Sequence, residues 1–322
     1  MLRIHFTEED LARVRLSDEP DPMWETLLSL HMLQERQSPP MYAGWRARVG
    51  GQLDPSLRPL LALAPPKGYS PDFLTPDIGA EGLQEGLDAI RHTRTATFRS
   101  DLAELARYQP HVDNRFKALA NGEKAAVLDL SGKIEHYFDT ALRPYWMQIR
   151  AAVGAARVSH GKALARGGLE ALFGGLHPNV RWRRPVLELP GFTVDRDIRL
   201  AGRGLRLIPS FFCRRHPTLL RDPELPTVLV YPIDPDQVRL APARRTTDSP
   251  LAALIGRTRA AILEATADGC TTTELARRLG ISPATASHHA SVLRDAGLIT
   301  TIRIGTSVLH TLHPRGELLV NQ

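Results

Sequence analysis

Two adjacent histidines, His288 and His289, sit inside the segment SPATASHHASVLRDAGLI (Ser282 to Ile299), where hydroxyls and imidazoles alternate with alanines. Side chains of this kind can ligate a metal, move a proton, or hydrogen-bond base edges and phosphates. A metal site needs three or four converging ligands, and the two cysteines, Cys213 and Cys270, lie too far apart in sequence for a Cys-x-x-Cys site. None of the twelve histidines falls in a His-Glu-x-x-His pattern, and no Gly-x-Ser-x-Gly elbow occurs. His136 and Asp139, three apart, read as a solvated helix face. HGKALARGG lacks the phosphate-loop spacing, and AGRGLRL reads as a turn between strands. Trp24, Trp45, Tyr145, Trp146 and Trp182 read as core packing, with a ligand pocket as the alternative. No catalytic, cofactor-binding or metal-ligating residue is therefore assigned, and the chain is not expected to be an enzyme.

The elements around the segment favour the nucleic-acid option. Residues 251–268 have the period of an amphipathic helix, ended by Gly269. TTTELARRLG predicts a two-turn helix capped by Thr271 or Thr272, with Leu275, Ala276 and Leu279 inward. Gly280-Ile281-Ser282 forms a turn into a second helix, 282–296, with Ser282 as N-cap and Pro283 at its first position. Short helix, glycine turn and capped helix are the ingredients of a helix-turn-helix. Ala286, Ala290 and Leu293, flanked by Val292, form the packing face of the second helix. Ala284, Thr285, Ser287, His288 and Ser291 occupy the opposite face, where short side chains can enter a major groove. His289 lies at the border, within reach of a phosphate. LITTIRIGTSVLHTLHP predicts a β-hairpin wing over 300–310, with Arg303 near its tip. The expected DNA-binding set is Thr272, Ser282, Ala284, Thr285, Ser287, His288, His289, Ser291 and Arg303.

Ser287, His289, Leu293, Arg294, Ala296, Gly297 and Leu298 match a Ser-x-His, Leu-Arg-x-Ala-Gly-Leu pattern. Through it, residues 251–314 resemble the ArsR/SmtB-type winged-helix transcriptional regulators. IHFTEEDLARVR, GYSPDFLTP and AGRGLRLIPSFF extend the likeness to larger actinobacterial regulators of that kind, in which an N-terminal domain precedes the winged helix. The resemblance implies a transcription regulator that binds duplex DNA as a homodimer. Its metal-sensing members carry paired cysteines in the helix before the recognition helix. Here that helix reads Glu274-Leu275-Ala276-Arg277-Arg278, so sensing through that site is not expected. Other members use Asp and His on a C-terminal helix, whereas PRGELLVNQ offers no such pair and is too short for their dimerisation helix.

Further upstream, LRIHF predicts a strand, followed by a helix capped by Thr7 and Asp10. Asp21-Pro22 opens a helix with Trp24, Leu27, Leu28 and Met32 on its apolar face. Recurrent prolines between Pro39 and Asp77 allow short helices only, and Tyr69 and Phe73 anchor an irregular loop. Helical periodicity then runs to Gly175, ending in one long helix or two collinear ones. After His177 the pattern alternates, and a small antiparallel sheet of three or four strands is expected over about 181–233. The fold class is α+β. Residues 1–245 are expected to serve dimerisation and effector sensing, being helical over 1–176, with strands to 233 and a connector to about 249. Residues 250–322 form the winged helix-turn-helix.

Net charge is +6, unevenly distributed: −5 over residues 1–139, +11 over 140–221, −2 over 222–250 and +2 over 251–322. A basic central belt suits a polyanion, and solvated helix faces explain it equally well. The first ten residues, with three carboxylates and no apolar stretch, argue against a secretory signal, and no apolar run reaches membrane-spanning length. A cytoplasmic DNA-binding homodimer is the expectation, with an unidentified small-molecule effector left open and no membrane partner. Two alternatives stand beside it. One is an enzyme acting on a small molecule with an appended winged helix, which lacks a catalytic constellation. The other is a winged-helix protein–protein adaptor, which the belt and polar face disfavour.

Overall fold

The computed structural model describes residues 1–35, 42–77, 82–109, 115–191, 195–214, 216–220, 227–233, 250–266, 269–304 and 307–320. The chain divides into two units, Met1–Leu240 and Ala241–Gln322. The connector expected over 234–249 lies outside the described residues.

The N-terminal unit opens with β1 (Leu2–His5), α1 (Glu8–Ala12) and β2 (Arg15–Leu16). Thr7 and Asp10 close a capping box at α1, so two otherwise orphaned backbone donors are satisfied reciprocally. Asp10 is fully buried and also accepts from the Gly204 backbone at 2.9 Å, which ties the first helix to a turn far along the chain. The helical layer follows as α2 (Pro22–Gln34), α3 (Ala43–Gln52), α4 (Arg58–Leu63), α5 (Leu83–Arg91), α6 (Thr95–Tyr108), α7 (Lys117–Ala120), α8 (Lys124–Ala141) and α9 (Trp146–Gly175). Single-turn 3₁₀ segments punctuate it at Pro55–Leu57, Asp72–Leu74 and Arg143–Tyr145.

α2 is its central helix. The sequence predicts one apolar face, but Glu25, Thr26 and Ser29 are buried as well. They can be, because each finds a partner inside. Thr26 donates to the Pro22 carbonyl at 2.6 Å, and Ser29 meets the Tyr137 hydroxyl at 2.9 Å. The Glu25 carboxylate accepts from the backbone N–H groups of Phe211 and Phe212 at 2.8 and 3.0 Å. Trp24, Trp45 and Tyr145 are buried in the helical core, Trp146 packs on Phe138, and Trp182 lies against Phe6 and Phe173. The residues forecast as one long or two collinear helices break at Gly167–Gly168, where both φ/ψ pairs leave the helical region.

The small sheet is the larger departure. Instead of one antiparallel sheet there are two mixed four-stranded sheets. They use β3 (Arg181–Arg183), β4 (Val186–Leu189), β5 (Arg196–Arg199), β6 (Arg206–Ser210), β7 (Thr218–Leu219) and β8 (Val228–Pro232). The first has the order β3-β4-β1-β5, with β1 antiparallel to β4 and parallel to β5. The second has the order β2-β6-β8-β7, in which β2, β6 and β8 run parallel. Alternation reports that one face of a strand is buried, and says nothing of which strand lies beside it or in which direction. Here both sheets recruit a strand from the first sixteen residues.

Part of the basic belt is neutralised within the same unit. Arg150 makes a two-point contact with Glu19 at 3.0 and 3.1 Å, Arg157 meets Asp18 at 3.1 Å and Arg184 meets Glu8 at 3.0 Å. Arg206 pairs with Asp77 at 3.1 Å, and Arg214 pairs with Glu35. Carboxylates of the first eighty residues therefore take up five cations of the basic middle. Among the described residues, no helix is long and apolar enough to cross a membrane.

Candidate nucleic-acid interface

The C-terminal unit comprises α10 (Pro250–Ile255), α11 (Arg257–Ala265), β9 (Cys270–Thr271), α12 (Thr272–Leu279), α13 (Pro283–Asp295), β10 (Ile299–Ile304), β11 (Ser307–Leu312) and α14 (Pro314–Val320). The helix expected over 251–268 is two helices, parted at Gly256, whose φ of +86° no regular helix accommodates. Thr271 caps α12, its hydroxyl accepting from the Glu274 N–H at 3.3 Å. Gly280 ends α12 in the left-handed region at φ +64°, a conformation that costs a residue with a Cβ about 1 kcal/mol or more. Two residues later Ser282 caps α13 by accepting from the Thr285 N–H at 3.1 Å, with Pro283 at the first position. Helix, three-residue turn and capped helix thus follow from local rules alone.

α13 packs through Ala286, Ala290 and Leu293, all at most 2% exposed, against a core that includes Ile262, Leu263 and Leu275. Small alanines at two of these positions let α12 and α13 approach closely. On the other face, Ser282, Ala284, Ser287 and His288 are exposed, and Thr285, His289 and Ser291 are half-buried. The Thr285 hydroxyl bonds the Ser282 hydroxyl at 2.8 Å, and Ser291 accepts from Arg294 at 2.8 Å. Among the described residues, the side chains of Ser287 and His288 make no hydrogen bond, which leaves them available to an external partner. His289 stacks loosely on His288, ring centroids 5.4 Å apart. Its pKa is lowered by burial and then by the neighbouring His288 and Arg259, so it is held towards the neutral form.

Thr272 has a different surrounding from that of the other expected contacts. Its hydroxyl meets His310 Nε2 at 2.9 Å, while His310 Nδ1 meets the Thr301 hydroxyl at 3.0 Å. One buried imidazole thereby links the start of α12 to both strands of the hairpin. The histidine's pKa is lowered by burial and by Arg294, consistent with a neutral ring that donates at one nitrogen and accepts at the other. β10 and β11 pair in antiparallel register from Ile299↔Leu312 to Ile304↔Ser307. Arg303 is exposed opposite Val308, and residues 305–306, the expected tip, lie outside the described residues. A third strand, β9, pairs with β11 at Thr271 and Cys270. Two residues of strand are too short to announce themselves by alternation.

Sequence reasoning named Arg303 but passed over Arg257, Arg259 and Arg315, cations carried by α11 and α14. Arg257, Arg259, Arg303 and Arg315 are exposed and make no ion pair among the described residues, whereas Arg277 and Arg278 pair with Glu274 and Arg294 with Asp295. A readable signal existed for two of them. Arg257 and Arg259 stand in the first turn of α11, where the helix dipole disfavours positive charge. An anion near this turn would offset that cost. The last helix, α14, folds back on the module: Leu319 and Val320 pack on its core, and Gly316 lies so close to Leu298 that a Cβ would fall 2.1 Å from the carbonyl oxygen. Among the described residues, no group of three or more His, Cys, Asp or Glu side chains is arranged to hold a metal ion.

Residues 254–302 match a family model described as a helix-turn-helix domain. No curated protein and no solved structure matched the chain. The matched stretch runs from α10 into β10, and a helix-turn-helix of this build is the module of a DNA-binding regulator.

Proposed function

We propose that this protein is a sequence-specific transcription regulator of ArsR-like type, acting on double-stranded DNA rather than as an enzyme. α13 is the recognition helix, entering the major groove with Ser287 and His288 towards base edges. Ser282, Ala284 and Thr285 line its N-terminal half, where a recognition helix makes its closest approach. His289 and Ser291 lie at its border, and Arg303 on the hairpin wing reaches the backbone or minor groove. Thr272 acts one step removed, by supporting the wing through His310. The protein works as a homodimer, since paired recognition helices meet half-sites about one turn apart. Residues 1–245 supply the dimer contact, chiefly through α9, and the sensing of a small effector, in the cytoplasm.

One observation carries this reading: an exposed, hydrogen-bond-capable face on a helix whose opposite face packs the core of a matched helix-turn-helix domain. Selection from randomised duplexes tests it. The wild-type chain is expected to enrich a two-fold site, and His288→Ala or Ser287→Ala to relax preference at one or two base pairs per half-site, each worth about 1–3 kcal/mol. An unchanged preference in both variants assigns the reading to another helix.

A further inference from the structure

Three large apolar side chains on α9, Met147, Val158 and Leu164, are exposed at 51, 52 and 42%. The same helix buries Ile149, Ala152, Val153 and Ala156 on its opposite side, so it is apolar on both faces. A surface helix normally turns a polar face to water, and one that is apolar all round is covered on both sides. The outer face also has an order of its own. Met147, Ala151, Gly154, Val158, Gly161 and Ala165 are spaced by four, three, four, three and four residues, the period of a coiled-coil seam. Gly154 is half-buried and the other five are exposed.

The two glycines of the seam point the same way. Among the described residues, a Cβ at Gly154 or Gly161 would meet no atom within 4 Å. Glycine inside a helix is less stable than alanine, so neither position gains anything within the protomer from lacking a side chain. A second helix lying close against the seam supplies the gain.

We infer that α9 pairs antiparallel with α9 of a second copy of this chain, about a two-fold axis level with Ala156. In that register Met147 faces Ala165, Ala151 faces Gly161 and Val158 faces Gly154 of the other copy, so each larger side chain meets a small one. A parallel pair would instead set Met147 against Met147 and Gly154 against Gly154, crowding one layer and emptying another. The charges at the seam's edge also suit a second copy. Arg150 and Arg157 are already paired with Glu19 and Asp18, and the two copies of Arg157 that meet near the axis each bring an Asp18 carboxylate. The strip is about 27 Å long and about 10 Å wide, on the order of 300 Å² per partner against the roughly 800 Å² of a standard interface, so the free dimer is a reversible one of micromolar Kd. That this pair presents two recognition helices to DNA rests on the regulatory reading above. The pairing itself does not, and it is measured without DNA.

Sedimentation equilibrium of the full-length protein between about 0.1 and 100 µM should show a reversible dimer. Val158→Glu should weaken it at least about tenfold, whereas Leu128→Glu, similarly exposed on α8, should leave it unchanged. Gly154→Ala separates pairing from folding. It should raise the thermal midpoint of the monomer by about 1–4 °C, yet weaken the dimer about tenfold by crowding Val158 of the other copy. A short bis-maleimide reads the direction: Ala155→Cys, beside the axis, should cross-link to its own copy, and Ala165→Cys, about 27 Å from its copy, should not. Cys213 and Cys270 are buried and do not compete for the reagent. The inference is overturned by a wild-type chain that stays monomeric at about 100 µM. It is equally overturned by Val158→Glu or Gly154→Ala chains that dimerise as tightly as wild type, or by Ala165→Cys cross-linking as readily as Ala155→Cys. None of these outcomes touches the base contacts assigned to α13, which the randomised-duplex selection tests by itself.

Discussion

Salt dependence separates the two sources of positive charge in this chain. Each C-terminal module carries four exposed arginines without an ion pair among the described residues: Arg257, Arg259, Arg303 and Arg315. The proposed dimer would bring eight, and at about 0.9 log units per neutralised phosphate the slope of log Kobs against log[salt] should then lie near −7. Between 50 and 200 mM salt that amounts to a loss of about four decades in affinity. Fluorescence anisotropy on a labelled duplex from upstream of its own gene measures it. Arg303→Ala, present in both protomers, should make the slope shallower by about 2. Arg157→Ala should leave it unchanged, because Arg157 is held by Asp18 in the N-terminal unit. A wild-type slope shallower than about −3, or an Arg157→Ala effect as large as that of Arg303→Ala, would refute the assignment of phosphate contacts to the module.

Three further outcomes follow from the packing and from one buried acid. Gly316→Ala should destabilise the C-terminal unit by about 1–3 kcal/mol through overpacking against the Leu298 carbonyl, read by thermal unfolding, while Gly174→Ala, at a site with open space, should not. Burial raises the Glu25 pKa to about 7, above its ordinary value of 4.5, so the protonated form is favoured in the folded state and its stabilisation is fully present below pH 4.5. It is lost as pH rises through 7, and the stability advantage of wild type over Glu25→Gln should shrink between pH 5 and 7.5; an advantage that grows would refute it. A fragment of residues 246–322 should be monomeric by light scattering, because α14 packs its Leu319 and Val320 on its own core rather than offering them to a second copy.

Elements whose signals are local were legible in the sequence. Ser282-Pro283, Gly280 and Thr271 each obey a rule that involves only their neighbours, and the helix-turn-helix they punctuate has the expected order and bounds. So does the capping box of Thr7 and Asp10. The misses all depend on partners distant in sequence. β1 was expected as a strand, yet its insertion between β4 and β5 is decided by residues about 190 positions away. The antiparallel sheet became two mixed sheets for that reason. Glu25 reads as one polar residue on an amphipathic helix until Phe211 and Phe212 present two backbone donors to it. The bond of Thr272, an expected DNA contact, to His310 was likewise beyond local rules, because His310 lies on a strand closed by the hairpin.

The same distinction explains why net charge alone left two readings of the belt open. The +11 of residues 140–221 looks the same whether its arginines face a polyanion or the carboxylates of the first eighty residues. In the fold Glu8, Asp18, Glu19, Glu35 and Asp77 take up five of them. The exposed pairs among them, those of Arg150, Arg157 and Arg184, contribute about 0–1 kcal/mol each, so their role is more to neutralise the unit than to hold it together. The C-terminal module, with a net charge of only +2, keeps its arginines differently. Arg257 and Arg259 oppose the dipole of α11 at a cost of about 0.3–1 kcal/mol each. That cost persists in the free protein and is offset only when an anion approaches the first turn of the helix. Arg259 is near enough to His289 to depress its pKa, which sets the pair at the border of α13. A backbone phosphate beside α13 would relieve both at once, binding the arginine and favouring protonation of the imidazole.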